Sequence, residues 1–323
     1  MKKIIAVLLS FLVLFSFGTA CSTQKNTKKK IVCTAFAGYD WIKNLLDGHA
    51  DDYDLIVLAD GGADMHNYRP SVEDMVTIGE STLFVYVGGE SESWVADVLK
   101  QVGKGGLQAF CMLDALGDMA IIEDHGHDDH DHEEGEDHDH EEHEHEADEH
   151  VWLSLKNATL LCEKLAERLI DIDGEFSFVS SGLEKYKAML TELDGRYLEA
   201  VASAKYDTLV FGDRFPFKYM ARDYGLKFSA AFDGCSAESE ASFETIVSLA
   251  KVVDELGLPA VCKIEGSNNK IAETVKANSA SKNCEILTFN SMQSVTKKNI
   301  ADGANYISIM QNNLQMLKKA LGV

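Results

Sequence analysis

Residues 182–204 read GLEKYKAMLTELDGRYLEAVASA, and the organisation of the chain can be worked out from this segment. Apolar side chains recur along it at every third or fourth position, which is the spacing of one face of a helix. This face consists of Leu183, Tyr186, Leu190, Leu193, Tyr197 and Val201. The segment therefore predicts one long helix, which fits a rigid connection between two parts of the chain.

The sequences on the two sides of this helix have similar patterns. Before it, strand-like apolar runs at 30–35, 54–59, 82–87 and 108–113 alternate with helical patterns at 39–47, 93–102 and 151–170. After it, strand-like runs at 208–211, 227–232, 260–264 and 285–289 alternate with helical patterns at 217–224, 243–256, 270–277 and 306–321. Alternation of this kind predicts parallel sheets that are covered by helices on both faces.

We predict an α/β fold of two similar lobes with parallel sheets, joined by one long rigid helix. The N-terminal lobe is expected over residues 31–176, the connecting helix over 177–205 and the C-terminal lobe over 206–323. Because two such lobes leave a cleft between them, and small ligands usually bind in clefts, the binding site is expected in this cleft.

The N-terminus has the pattern of an export signal. Lys2 and Lys3 precede an apolar run over 4–17, and Gly18, Thr19 and Ala20 lead to Cys21. The run is shorter than the roughly 20 residues of a permanent membrane span. Residues 1–20 are therefore predicted to be a signal peptide.

Cys21 follows two small residues, and the segment resembles the lipobox of bacterial lipoproteins. The resemblance implies that Cys21 is lipidated, that residues 21–30 form a tether, and that the protein is anchored at the outer face of the cell membrane. A plain signal peptide or an uncleaved anchor is the alternative.

The negative charge of the chain is concentrated in one segment. The formal net charge is −23, and residues 123–149 contain 16 acidic residues and no Lys or Arg, which leaves −7 for the rest. The sequence contains no basic patch of the kind that would indicate binding to nucleic acid. The acidity is therefore a local feature with a local role.

The same acidic segment contains eight of the eleven histidines of the chain. They are His125, His127, His130, His132, His138, His140, His143 and His145. Such a segment lacks the apolar residues that folding needs. Because imidazole is a favoured ligand of zinc, copper and nickel, we expect the loop to contact a transition metal. Delivery, buffering and sensing of metal all remain open as its role.

Two isolated histidines are candidates for a more defined site. His66 stands in Gly-Ala-Asp-Met-His-Asn-Tyr, and His150 stands in Asp-Glu-His-Val-Trp. Each follows an apolar strand and opens the next helical segment. Because open α/β sheets bind ligands at this rim, we expect both imidazoles to face the cleft.

At these histidines the chain resembles the metal-binding proteins of ABC importers for zinc and manganese, the ZnuA and TroA type of solute-binding protein. Further matches are Val-Tyr-Val-Gly-Gly at 85–89, Tyr-Gly-Leu at 224–226 and Ala-Glu-Thr-Val at 272–275. The resemblance implies that His66 and His150 are metal ligands of the N-terminal lobe. It also implies an ABC permease as partner, a monomer, and no enzymatic activity.

A His-rich acidic loop just before the Asp-Glu-His-Val-Trp segment is a feature of the zinc members of this family. Zinc is therefore the expected metal, and manganese is the alternative. The expected function is capture of a divalent transition metal outside the cytoplasm and its delivery to the permease. A manganese-specific binding protein and a metal-dependent adhesin are the other interpretations.

The C-terminal lobe departs from the family pattern. Arg214 stands where zinc members have a third His, and a guanidinium has no lone pair for a cation. Asn290 stands where the family commonly has an Asp, and is expected to donate a carbonyl oxygen or to orient a ligand. Glu265, at a strand end, is the first choice for the missing donor, followed by Asp213 and Glu240. Pairing of these carboxylates with Arg214 is the alternative.

Overall fold

The computed structural model describes residues 28–58, 68–103, 105–123, 146–174, 176–234 and 240–323. Within these ranges the chain forms two sheets, each of four parallel strands, with helices packed against them. The predicted α/β class with two parallel sheets is confirmed.

The first sheet has the strand order β2-β1-β3-β4. Its strands are β1 (Lys29–Cys33), β2 (Tyr53–Val57), β3 (Leu83–Tyr86) and β4 (Gln108–Cys111). The helices of this half are α1 (Phe36–Leu45), α2 (Val72–Gly79), α3 (Trp94–Val102), α4 (Met112–Leu116) and α5 (Leu155–Asp173). Ile31 and Cys33 belong to one hydrophobic core while Val32 belongs to another, so both faces of β1 are buried.

A short antiparallel ribbon precedes α5. It consists of β5 (Ile122–Glu123) and β6 (Glu146–Ala147), in which Ile122 pairs with Ala147. The residues between the two strands contain the eight loop histidines and lie outside the described ranges. The ribbon therefore pairs the residues that directly flank the His-rich segment in the sequence.

The second sheet repeats the arrangement of the first. Its strands are β7 (Thr208–Phe215), β8 (Lys227–Asp233), β9 (Ala260–Ile264) and β10 (Glu285–Phe289). The helices of this half are α7 (Lys218–Tyr224), α8 (Phe243–Leu256), α9 (Lys270–Asn278), α10 (Lys297–Ala301) and α11 (Tyr306–Leu321). The order β8-β7-β9-β10 places second, first, third and fourth strands as in the first sheet, so the two halves share one topology.

The long helix α6 (Phe176–Ala202) connects the two halves. It begins one residue before and ends three residues before the predicted helix at 177–205, and Tyr186, Leu190, Leu193 and Tyr197 are buried on the predicted face. Gly182 lies against the backbone of Leu45, and a Cβ at this glycine would overlap the Leu45 carbonyl oxygen. The absence of a side chain thus lets α6 approach α1 closely.

Some elements differ from the sequence-based prediction. The predicted strand that starts at Thr208 continues to Phe215, with a register shift between Phe211 and Arg214 in its pairing with β8. Helix α5 starts at Leu155, four residues later than predicted, because the Ser154 side chain caps it by accepting a hydrogen bond from Asn157 N at 2.9 Å. In the described ranges, no helix has both the length and the apolar character that crossing a bilayer requires.

The fully buried Tyr306 joins the C-terminal helix to the first half of the chain. Its hydroxyl donates to the Trp152 carbonyl at 2.7 Å, and its ring meets the Trp41 ring edge-on with centroids 5.4 Å apart. Its backbone N–H donates to the Asp40 carboxylate at 3.1 Å, and the Tyr186 hydroxyl lies 3.4 Å from the same oxygen. Polar and aromatic contacts therefore hold α1, α6 and α11 together.

Asp40 makes the stability of this seam dependent on pH. Burial raises its pKa to about 6, so the folded protein holds the Asp40 proton more tightly than the unfolded chain does. This contribution to the free energy of unfolding is present below about pH 4 and is lost as pH rises through about 6. The Asp40→Asn variant keeps an oxygen for the Tyr306 N–H but removes the titration.

Between pH 4 and 8, the wild type should therefore lose about 2 kcal/mol of unfolding free energy relative to Asp40→Asn. Urea unfolding monitored by circular dichroism at several pH values measures this difference. The Asp118→Asn variant, at an exposed position, controls for the change of composition. Parallel pH profiles for wild type and Asp40→Asn would contradict the prediction.

Candidate functional site between the lobes

His150 lies on a short segment that is fixed at both ends. The segment follows β6, and it ends where Ser154 caps α5. On the β6 side, the Tyr219 hydroxyl of α7 donates to the Asp148 carbonyl at 2.7 Å and accepts from the Ile121 N–H at 3.1 Å. A residue of the second half therefore holds the base of the ribbon beside His150.

The buried carboxylate of Asp148 orients the His150 ring. One oxygen of Asp148 lies 2.8 Å from the His150 backbone nitrogen and 3.1 Å from its Nδ1. Burial opposes ionisation of Asp148, but the adjacent His150 outweighs it, so the pKa of Asp148 lies below its usual range. Because a carboxylate only accepts, Nδ1 carries a proton, while Nε2 contacts the side-chain nitrogen of Gln293, which can only donate, and so presents a lone pair.

The lone-pair side of His150 faces Gln293, which follows β10 in the second half. The two Nε2 atoms are 2.6 Å apart, and both side chains are buried. The neighbouring Trp152 donates its indole N–H to the Ser291 carbonyl at 2.8 Å. The His150 segment and the 291–293 segment are thereby joined by two polar contacts across the two halves.

Glu265 follows β9, at the same edge of the second sheet as the 291–293 segment that follows β10. Its carboxylate accepts from the Ser291 N–H at 2.6 Å and from the Ser291 hydroxyl at 2.8 Å. Burial raises the pKa of this carboxyl above its usual range. Glu265 lines a cleft of about 150 Å³ together with Arg214, Ile264, Gly266, Ser267, Ser291, Gln293 and Ser294.

His150 and Glu265 belong to one polar network. The Ser291 hydroxyl lies 3.2 Å from the Gln293 side-chain oxygen as well as 2.8 Å from Glu265. The contacts therefore run without a break from Asp148 through His150, Gln293 and Ser291 to Glu265. The structure thus brings two of the predicted ligands together, and the link between them is a residue that the sequence did not single out.

The other candidate residues of the second half have different surroundings. Asp213 accepts from the Ile264 N–H at 3.0 Å and from the Ser267 hydroxyl, so its carboxylate fixes the turn after β9. Arg214 lines the cleft that contains Glu265. Glu240 is exposed and precedes α8.

Asn290 fixes the backbone of its own turn. Its side-chain oxygen accepts from the Met292 N–H at 2.8 Å, and its backbone N–H donates to Asn313 at 2.8 Å. Met292 has a left-handed φ of 65°, which is uncommon for a residue with a side chain. This turn directs Gln293, rather than Asn290, towards His150.

His66, the eight loop histidines and Cys21 lie outside the described residues. In the part of the chain that the structure describes, no three His, Cys, Asp or Glu side chains are grouped closely enough to hold a metal ion. The role of His66 therefore stays a prediction.

The turn that contains Gly88 and Gly89 packs against Glu149, next to His150. The buried Glu92 carboxylate accepts from the N–H groups of Val87 and Gly88 at 2.7 and 2.8 Å. Glu149, next to His150, accepts from the Ser91 N–H at 2.8 Å. Gly89, which follows Gly88, has φ 83° and ψ −171°, and a Cβ at this position would overlap the Glu149 carboxylate.

The fold defines a class: α/β proteins of two similar halves, each built on a four-stranded parallel sheet. A family model described as "Zinc-uptake complex component A periplasmic" matches residues 31–320, and the chain belongs to this ZnuA family. The family is one of transport components rather than of enzymes.

Individual relatives agree with this assignment. The chain is 31% identical over 327 residues to the zinc-binding lipoprotein AdcA of Streptococcus pneumoniae, with 99% of this chain and 61% of AdcA covered. It therefore spans about three fifths of the length of that relative. It is 27% identical over 299 residues to the high-affinity zinc uptake system protein ZnuA of Bacillus subtilis, with 92% and 89% covered.

A solved structure is also similar. The crystal structure of the Zn(II)-bound ZnuA-like domain of Streptococcus pneumoniae AdcA matches with a TM-score of 0.71 and 26% identity. The match covers 92% of this chain and 100% of that domain. The recognition of a ZnuA and TroA type of protein from the sequence is confirmed.

The tight approach at Gly89 leads to a testable prediction. In Gly89→Ala, the new methyl group must displace Glu149, in addition to the cost of a backbone conformation that essentially only glycine adopts. Gly103 has φ 68° and ψ −168° but no atom near its Cβ position, so Gly103→Ala is a matched control for the backbone cost alone.

We expect Gly89→Ala to lower the free energy of unfolding by about 2 kcal/mol more than Gly103→Ala does. Urea unfolding of the two variants measures this difference. Equal losses would show that Glu149 can move at no cost.

Proposed function

We propose that this chain is an extracytoplasmic solute-binding protein that captures zinc between its lobes and delivers it to an ABC import permease. The observation that carries the proposal is His150, a buried imidazole whose Nδ1 is held by a carboxylate while its Nε2 lone pair points between the lobes. A carboxylate on the far nitrogen is the usual support of a zinc-binding histidine.

The charges around His150 suit a cation. The second Asp148 oxygen is buried and has no hydrogen-bond partner among the described residues. A buried anionic oxygen without a partner is costly, and a nearby positive ion offsets the cost. The carboxyl group of Glu265 lies on the same polar network. These features favour a metal ion over an anionic or neutral solute.

His66 and His150 are the proposed ligands of the first half, and Glu265 is the proposed ligand of the second. Zinc takes three or four nitrogen, oxygen or sulfur donors, so these three residues satisfy its minimum. Asp213 is the weaker candidate because it is not among the residues that line the cleft, whereas Glu265 lines the cleft and belongs to the network that reaches His150. The zinc ion is the cargo of this protein, so the site has to release it as well as bind it.

The His-rich segment is proposed to raise the metal concentration at the mouth of the site. Its ends pair in the ribbon β5–β6, and His150 follows β6 after only two residues. Lipidation of Cys21 would hold the protein, as a monomer, near the permease at the outer face of the membrane. The ZnuA family description as a component of a zinc-uptake complex supports this partnership.

Zinc titration by calorimetry tests the proposal. The double variant His66→Ala, His150→Ala should bind zinc more than about 100-fold more weakly than the wild type, since even loss of a residue that only supports a ligand costs 10–100-fold. His49→Ala is the matched control, because His49 is half-exposed and pairs with Asp52 at the surface. A variant without residues 124–145 should retain the high-affinity site.

Unchanged zinc affinity in the double variant would overturn the proposed site. High affinity that disappears only with residues 124–145 would instead make the protein a metal buffer based on its loop. A parallel titration with manganese decides between the two metals, and tighter manganese binding would overturn the choice of zinc.

A further inference from the structure

Gln293 contacts the one atom of His150 that a metal ion would need. The side-chain nitrogen of Gln293 lies 2.6 Å from His150 Nε2, and the exposed fractions of the two residues are 7% and 0%. The contact is therefore shielded from water. A hydrogen bond of this kind is stronger inside a protein than at its surface.

The direction of this hydrogen bond follows from the groups at its two ends. The Ser291 hydroxyl lies 3.2 Å from the Gln293 side-chain oxygen, which places the amide nitrogen against His150 Nε2. The amide nitrogen of Gln293 has only protons to offer. Gln293 therefore donates an N–H to the lone pair through which His150 would coordinate zinc.

The direction of the Gln293 side chain is fixed by the turn at residues 290–293. Asn290 accepts the Met292 N–H, and Met292 adopts the left-handed conformation that reverses the chain direction before Gln293. The Ser291 carbonyl accepts a hydrogen bond from the indole N–H of Trp152, which is two residues beyond His150. The amide is thus positioned by contacts that do not involve a metal ion.

We propose that Gln293 is a competitor for zinc built into the site, and this inference rests on the proposed function. Its amide N–H satisfies the His150 lone pair when no metal is bound, so zinc must displace it on entry. The same amide can return to Nε2 when zinc leaves. Gln293 therefore lowers the affinity of the site and speeds release of the metal to the permease.

The Gln293→Leu variant removes the donor and leaves no oxygen for coordination. Loss of a buried hydrogen bond destabilises the metal-free state, so zinc affinity should rise roughly tenfold, mainly through slower release. Stopped-flow transfer of zinc to a chelator measures the release rate, and calorimetry measures the affinity. Gln311→Leu, the same substitution at an exposed position of α11, is the matched control and should leave both unchanged.

A second readout does not depend on metal affinity. Metal-free Gln293→Leu should melt at a lower temperature than Gln311→Leu, while added zinc should raise its melting temperature more than that of the wild type. In metal-free wild-type protein, an NMR coupling between the two ¹⁵N atoms across the hydrogen bond should be present, and it should vanish when zinc is added.

Weaker zinc binding in Gln293→Leu would overturn the inference, because it would make Gln293 a ligand through its carbonyl oxygen. Unchanged release, or absence of the ¹⁵N–¹⁵N coupling in the metal-free protein, would overturn it as well. His150→Ala separates the two proposals. If that variant keeps wild-type zinc affinity, the proposed function fails; if it loses zinc while Gln293→Leu does not gain affinity, only the role of Gln293 fails.

Discussion

The hydrogen bond from the Trp152 indole to the Ser291 carbonyl is the constraint on which the site depends. Trp152 is two residues beyond His150, and Ser291 is two residues before Gln293, so this 2.8 Å bond aligns the two segments that meet at the His150 ring. The Trp152 carbonyl in turn accepts from Tyr306. One buried tryptophan thus couples the C-terminal helix, the turn after β10 and the start of α5. A small displacement of any of these three elements would shift the His150 ring.

The polar network between the halves is unusual in what it contains. Carboxyl groups stand at both ends, the buried Asp148 and the half-buried Glu265, while the middle consists of an imidazole, an amide and a hydroxyl. The Ser291 hydroxyl has a single proton within reach of two acceptors, so the middle of the network has more than one arrangement of donors.

The sequence predicted the fold well because its signals are periodic. Alternating apolar runs identified the strands of both sheets. The role of His150 stays a prediction, and His150 follows the antiparallel ribbon rather than a strand of the parallel sheet, as the sequence pattern had suggested. The start of α5 was placed too early because the apolar residues after His150 form a separate turn before Ser154. Gln293 could not be found in this way. Its position depends on the left-handed Met292 and on the Asn290 side chain, and neither leaves a pattern that distinguishes Gln293 from its neighbours.

The ribbon in which Ile122 pairs with Ala147 separates the His-rich segment from the contacts around His150. The base of the ribbon is fixed by the pairing of β5 with β6 and by Tyr219, and none of these contacts involves residues 124–145. Insertions, deletions or added histidines within residues 124–145 would therefore leave these contacts in place.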